Sequence, residues 1–313
     1  MHTIVGIDEA GYSPLLGPLV ISAAAFECAQ APADWWKALG IPKAGAKAMT
    51  NLPAIDDSKK LYTPKEGPAN LERAVLSFLG IMGHHPASLR ELLADAGASV
   101  EIAGYPWYRD ADIAIPMVLG RDEIAQSTDA LRSALDRADA RFLGFRSAPI
   151  LEGDLNRRLE SCDNKATVLL TSTLRIVEAF LQPGDGTQFF IDKQGGRDFY
   201  SDALSQMFFG CRIHRSTEGN DLSTYVVQHG DCHFDLSFCV RGDSAHLPIA
   251  LASMLSKYIR ELFMEMFNRY WHAIDPSLPH TSGYRSDGWK FVRALEAVGG
   301  MKEADMRQMI RRR

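Results

Sequence analysis

Residues 4–18 read Ile4-Val5-Gly6-Ile7-Asp8-Glu9-Ala10-Gly11-Tyr12-Ser13-Pro14-Leu15-Leu16-Gly17-Pro18. An apolar run (Ile4, Val5, Ile7) stops at two adjacent carboxylates, Asp8 and Glu9, and a glycine soon follows. Short apolar runs closed by turn residues mark a buried strand. Carboxylates at the mouth of such a strand are held close together, which costs free energy unless a cation neutralises them. A lone Asp-Glu pair can also do no more than open a solvated turn, so the remaining segments have to decide.

Four of them bear on it. Residues 56–61 are Asp-Asp-Ser-Lys-Lys-Leu, and residues 190–192 are Phe-Ile-Asp, again an apolar run ending in an acid. Residues 241–261 run from Arg-Gly-Asp-Ser-Ala-His-Leu-Pro-Ile-Ala through Ala252, Ser253 and Lys257 to Arg260-Glu261, and residues 282–287 are Ser-Gly-Tyr-Arg-Ser-Asp. In this order the segments resemble the type 2 ribonuclease H family, that is, ribonuclease HII and the catalytic subunit of its archaeal and eukaryotic relatives. The resemblance runs from residue 4 to about residue 290, and residues 84–140 have no counterpart in it. It implies an α/β fold: a ribonuclease H-like mixed β-sheet flanked by helices, with a helical insertion and a C-terminal helical region. Residues 1–313 are then expected to form a single ribonuclease H-like domain, with the insertion over approximately 84–140 and the C-terminal helical region over approximately 265–313.

The bulk numbers fit a globular chain. Apolar residues make up 46% and charged residues 23% of 313, which excludes a disordered or fibrous class. The formal net charge of −5 gives no global sign of nucleic-acid binding, but a groove is governed by the distribution of charge and not by its sum. The opening Met-His-Thr-Ile-Val lacks a basic flank before an apolar core, so no signal peptide is expected. No apolar run reaches the ~18 residues of a membrane span. A cytoplasmic monomer without membrane contact is the expectation. The five cysteines (28, 162, 211, 232 and 239) form no C-x-x-C pair and read as reduced thiols. Cys232, His233 and Cys239 lie in an alternating run with Phe234, Leu236 and Phe238, which reads as a strand and fits no recurring zinc spacing.

Periodicity predicts a hairpin from a strand over 3–8 and an apolar run over 19–26, then a loop with a short amphipathic piece at Trp35 and Trp36. Helices are expected near 66–80, 121–140, 163–181, 198–209, 245–270 and 287–298, with strands over 142–151, 188–192 and two or three more in 211–241. Pro183-Gly184 should stop the helix over 163–181, and Gly195-Gly196 should form a turn. Tyr105-Pro106-Trp107-Tyr108 is an aromatic loop, read as a plug packed on the parent domain in preference to a stacking platform for bases. The Arg311–Arg313 end is expected to be frayed and solvated.

The resemblance implies that Asp8, Glu9, Asp192 and Asp243 are the catalytic acids and hold two Mg2+ or Mn2+ ions. Hard divalent cations take oxygen ligands, and a pair about 3.5–4 Å apart supports in-line phosphodiester hydrolysis. Asp192 could otherwise serve only a turn, and Asp243 only a helix cap. Asp56, Asp57 and Asp287 read as turn or helix-start residues. Lys59 and Lys60 are point charges suited to phosphate; the resemblance points to one of the pair, and Lys60 is preferred, with Ser58 beside it. Ser253 and Lys257 are four residues apart, on one helical face, and match the family's Ala-Ser-x-x-x-Lys. Tyr284 matches a tyrosine that stacks on the sugar at the ribonucleotide–deoxyribonucleotide junction. The family places Gly-Arg-Gly or Gly-Lys-Gly after its Asp-Glu-Ala, where this chain has Gly11-Tyr12-Ser13. Ser13 adds a Cβ where the backbone approaches the 2′-hydroxyl, and Tyr12 removes a cation. This departure bears on the sensing of single embedded ribonucleotides more than on cleavage. Glu261 stands where the family usually has Asp. The expected activity is metal-dependent hydrolysis of the RNA strand of RNA/DNA hybrids. The alternative is a catalytically altered or inactive homologue that binds hybrid or structured nucleic acid.

Overall fold

The computed structural model describes residues 1–46, 51–63, 65–110, 112–162, 164–181, 186–194, 197–229, 232–299 and 303–312. The expected stop at Pro183-Gly184 and turn at Gly195-Gly196 lie outside them, as does Arg313.

Seven strands form one mixed sheet. They are β1 (His2–Ala10), β2 (Leu19–Cys28), β3 (Ala140–Ile150), β4 (Gly186–Asp192), β5 (Arg212–Glu218), β6 (Leu222–His229) and β7 (Cys232–Cys239), in the spatial order β3-β2-β1-β4-β7-β6-β5. β1, β2 and β3 are antiparallel neighbours, whereas β1–β4 and β4–β7 are parallel. The two parallel joins matter most, because three consecutive strands then end at the same edge of the sheet. The expected mixed β-sheet flanked by helices is what forms.

Short helices α1 (Trp35–Leu39) and α2 (Ser58–Leu61) precede α3 (Ala69–Ile81); α4 (Leu89–Asp95), α5 (Pro106–Arg109) and α6 (Arg121–Arg137) follow before β3. Next come α7 (Glu152–Cys162), α8 (Lys165–Glu178), α9 (Ser201–Met207), α10 (Gly242–Ala245), α11 (Leu247–Ile274), α12 (Arg285–Ala297) and α13 (Glu303–Met309). The alternation along β1 sorts the core into two. Ile4 joins Val20, Ala24 and Phe26 under α11 and α3, while Val5 and Ile7 join Ile21, Ala23 and Ala25 under α7 and α8. Period-two side chains therefore fill both faces of one strand. Tyr105, Trp107 and Tyr108 are buried, with the Trp107 ring 6.0 Å from Phe267 and Tyr108 5.0 Å from Phe263. The aromatic segment is a packing plug against α11.

Two readings of the sequence change. The helix expected over 163–181 forms as α8, capped by Asn164, which accepts from the Ala166 and Thr167 amides, but a further helix, α7, precedes it where none was expected. The stripe Leu151, Leu155, Leu159 at fourfold spacing was the available signal, diluted by five charged residues over 152–160. The Arg311 end is not frayed. Its side chain is 3% exposed, and Asn156 pins the segment by donating to the carbonyls of Arg307 and Ile310 and accepting from the Arg312 amide.

The helix–sheet contact turns on Gly6. A Cβ there would lie 2.1 Å from the Pro248 carbonyl carbon and 2.2 Å from the Ile249 nitrogen. Backbone atoms cannot yield to that overlap. Gly6→Ala is expected to destabilise the fold by about 3 kcal/mol, read as a lowered urea midpoint; an unchanged midpoint would show that α11 can lift off β1 without cost.

Candidate active site

Parallel register builds the acidic centre. Ile7 of β1 pairs with Ile191 of β4, so Asp8 and Asp192 each stand one residue further along adjacent strands. Asp192 in turn pairs with Cys239 of β7. Beyond β7 the chain reverses through Arg241, whose φ of 54° is a left-handed conformation that non-glycine residues adopt at a cost of roughly 1 kcal/mol. That turn aims the Gly242 amide at Asp192 Oδ1 (2.7 Å) and sets Asp243 in the first turn of α10. The three strand ends thus deliver Asp8, Glu9, Asp192 and Asp243.

Helix α11 closes over them. Ser253 hydrogen-bonds the Asp8 carboxyl and lies 3.1 Å from Ser58 Oγ, and Ser256 Oγ donates to the Asp8 carbonyl at 3.1 Å. The Glu9 amide donates to Asp8 Oδ1 at 2.7 Å. Ser58 and Ser253 therefore reach the centre together, both buried.

The acids crowd one another. Asp8 is pushed well above its ordinary carboxyl range by burial first, then by the charges of Glu9 and Asp192. Glu9 is raised to about 7 by burial and Asp192, and Asp192 to about 6 by burial, against the Gly242 amide and with Asp243 adding to the rise. Asp243 is raised by burial and by Asp57. Asp57 also caps α2 by accepting from the Lys59 amide at 2.9 Å, so this helix-start residue additionally loads the acidic field.

The two lysines of the 56–61 segment separate. Lys60 is half exposed and pairs with Asp56 at 2.9 Å. Lys59 is the cation whose charge eases ionisation of Glu9, Asp192 and Asp243. Lys59 also lines a cleft of roughly 630 Å3 with Tyr62, Lys257, Glu261, His280 and Tyr284. Within it Lys257 binds Glu261 at 2.7 Å and lies 4.5 Å from the Tyr62 ring centre, while Tyr62 Oη donates to Glu261 at 2.7 Å. Glu261 thereby occupies the expected acidic position as a buried counter-ion to Lys257 and Arg260. Tyr284 is 42% exposed, with the Arg260 guanidinium 5.3 Å from its ring centre.

The loop after Glu9 is built for close approach. Gly11 has φ +86°, and a Cβ would meet the Pro18 carbonyl at 2.5 Å. Leu15 and Leu16 amides both donate to the Gly283 carbonyl, which ties the loop to Tyr284. Tyr12 packs on the α8 side of the sheet, and Ser13 is exposed.

The donor set is all oxygen, which suits Mg2+ or Mn2+, and its raised carboxyls carry repulsion that a cation would relieve. Among the described residues, no group of three or more His, Cys, Asp or Glu side chains is already arranged to hold a metal ion. Cys239 of the Cys-His strand is buried, and its thiol is raised to about 11 by burial and by Asp192.

No family model and no curated protein matches the chain. Among solved structures it is similar to a chain of the PCNA:RNase HII complex from Archaeoglobus fulgidus, at 13% identity and a TM-score of 0.46, over 99% of this chain and 94% of that one. It is also similar to Bst-RNase HIII in complex with Mn2+ (15% identity, TM-score 0.43), covering 98% of this chain but 65% of that chain. A third is the ribonuclease H2 from Pyrococcus horikoshii OT3 (12% identity, TM-score 0.42), over 98% of this chain and 92% of that one.

The crowding has a sign in stability. Glu9, ordinarily at 4.5 and raised to about 7, holds its proton in the folded state where the unfolded chain has lost it. Its contribution is complete below about 4.5 and is lost as pH rises through about 7. In EDTA, Glu9→Gln should leave stability unchanged at pH 4.5 and raise it by about 1–3 kcal/mol at pH 8. Thermal melts check this, and a variant less stable than wild type at pH 8 would contradict it. Millimolar Mg2+ should stabilise the wild type more at pH 8 than at pH 5, because a cation competes with the proton.

Proposed function

We propose that this protein is a metal-dependent endoribonuclease that hydrolyses the RNA strand of RNA/DNA hybrids. The observation that supports the reading is that Asp8, Glu9, Asp192 and Asp243 stand at one edge of the sheet with their carboxyls raised by burial and by neighbouring acidic charge. Mg2+ or Mn2+ would be held by these four after side-chain rotation. When bound, the cations supply Lewis acidity, activating water and stabilising charge on the phosphoryl and leaving 3′ oxygens.

The chain's own groups do the rest. Ser253 and the Glu9 amide orient the Asp8 carboxyl. Lys59 lowers the cost of ionising three of the acids and is placed to meet a phosphate entering the cleft. Lys257, held straight by Glu261 and Tyr62, presents a second positive charge about two helical turns along α11 from Ile249. Tyr284 offers an exposed ring for a sugar or base. Gly11, Tyr12, Ser13, Ser58 and Lys60 complete the substrate-binding set in this reading.

A second reading, a hybrid-binding protein that has lost turnover, is favoured by the absence of a ready three-ligand arrangement among the described residues and by Tyr12 in place of a loop cation. A cleavage assay in Mg2+ and in Mn2+ separates the two. The substrates are a uniform hybrid, a duplex with one embedded ribonucleotide, and all-RNA and all-DNA controls. Asp8→Asn should lower hybrid cleavage by at least about 10^3-fold; retained cleavage would sink the assignment, and tight hybrid binding without any turnover would establish the second reading. Lys59→Ala should cost about tenfold in kcat/KM and Lys60→Ala under about threefold, since Lys60 is occupied by Asp56; the reverse order would put the phosphate contact at Lys60.

A further inference from the structure

Arg311 lies three hundred residues from the loop that follows Glu9, yet its guanidinium is sealed beneath that loop. Nη1 donates to the Gly11 carbonyl at 2.6 Å and to the Gly17 carbonyl at 3.4 Å, and Nη2 donates to the Tyr12 carbonyl at 3.1 Å. The Arg311 amide donates to the Leu15 carbonyl at 2.9 Å. Lys165 Nζ reaches the Tyr12 carbonyl from the start of α8 at 3.3 Å, and Arg260 holds the Leu16 carbonyl at 3.3 Å. Three cations from distant parts of the chain thus grip the Gly11, Tyr12, Leu16 and Gly17 carbonyls of one loop from below.

A planar trans peptide places the N–H of residue i+1 opposite the C=O of residue i. With the Gly11 and Tyr12 carbonyls drawn inward to Arg311, the amides of Tyr12 and Ser13 are turned the other way. Among the described residues neither amide has a hydrogen-bond partner. Two successive outward donors beside Asp8 and Glu9 suit an acceptor oxygen of a nucleic-acid backbone, a phosphate oxygen or a sugar hydroxyl. Buried Glu152 completes the underside by accepting from the Gly17 amide (3.0 Å) and Tyr108 Oη (2.8 Å).

We infer that Arg311 is a positioning residue, which orients the Gly11–Ser13 peptides so that the Tyr12 and Ser13 amides bind a backbone oxygen of the substrate. This rests on the nucleic-acid reading proposed above. It also accounts for a loop that carries no cation of its own: the positive charge lies under the loop, supplied by the C-terminal segment, and acts through the peptide dipoles.

The test uses the full chain with Arg311→Ala and Arg311→Lys, and selective 15N labelling of tyrosine and serine. In the hybrid cleavage assay Arg311→Ala should raise KM about tenfold with kcat within about twofold, and Arg311→Lys should recover part of that loss. A purely structural role would instead lower the melting temperature and the active fraction while leaving KM unchanged. That result, or an unchanged KM in a stably folded variant, overturns the inference. If Arg311→Ala does not fold, Arg311→Lys is judged by the same KM criterion. Should the wild type cut nothing, the functional reading falls and the amide signals decide. Shifted Tyr12 and Ser13 amide signals in the variants sustain the orienting role, and unmoved signals overturn it.

Discussion

The close seating of α11 on β1 is the constraint from which the rest follows. At Gly6 the helix backbone comes within a distance that no side chain allows, and this sets the height of the whole helix above the sheet. One turn further on, Ser253 and Ser256 meet the Asp8 carboxyl and carbonyl. Two turns beyond, Arg260 enters the loop region with its side chain fully buried and binds the carbonyls of Leu16 and Ser282. One rigid element thus spaces the acid at the strand end, the lysine in the cleft and the loop beside them. A helix packed at the usual separation would leave the serines short of Asp8.

Against that rigidity stands an electrostatic cost. Burying four acids near one another opposes folding at neutral pH, and the structure moderates the cost with the partial charges of a serine hydroxyl and two backbone amides and with the full charge of Lys59. None of these neutralises the cluster. Sites that keep such unrelieved charge are usually sites that bind something. Arg241 adds a smaller local strain of its own, held where β7 turns toward Asp243.

The sequence made the local signals legible and the distant ones not. Strand ends terminating in acids can be read directly from Ile4–Glu9 and Phe190–Asp192, because period-two burial and turn chemistry are properties of neighbours in the chain. The separation of Lys59 from Lys60 was within reach: Asp56 and Lys60 are spaced for an i,i+4 ion pair, and Asp57 is spaced to cap the helix between them. Helix α7 was hidden because its apolar stripe is only three leucines wide amid charged residues. The role of Arg311 has no local signature at all. An arginine among arginines near the end of a sequence looks solvated, and only the tertiary fold brings Asn156, Glu152 and the loop carbonyls to it.

The contact between Arg311 and the Gly11 loop also orders events in time. The loop emerges within the first twenty residues synthesised, but the group that fixes its peptide planes is made about three hundred residues later. At ordinary elongation rates of about 5–20 residues per second, the nascent chain spends tens of seconds with its acidic strand formed and its loop ungripped. The loop beside Asp8 and Glu9 is therefore set only once Arg311 has been made, although its own residues are among the earliest. A chain still being made would carry the carboxylates without the oriented donors beside them.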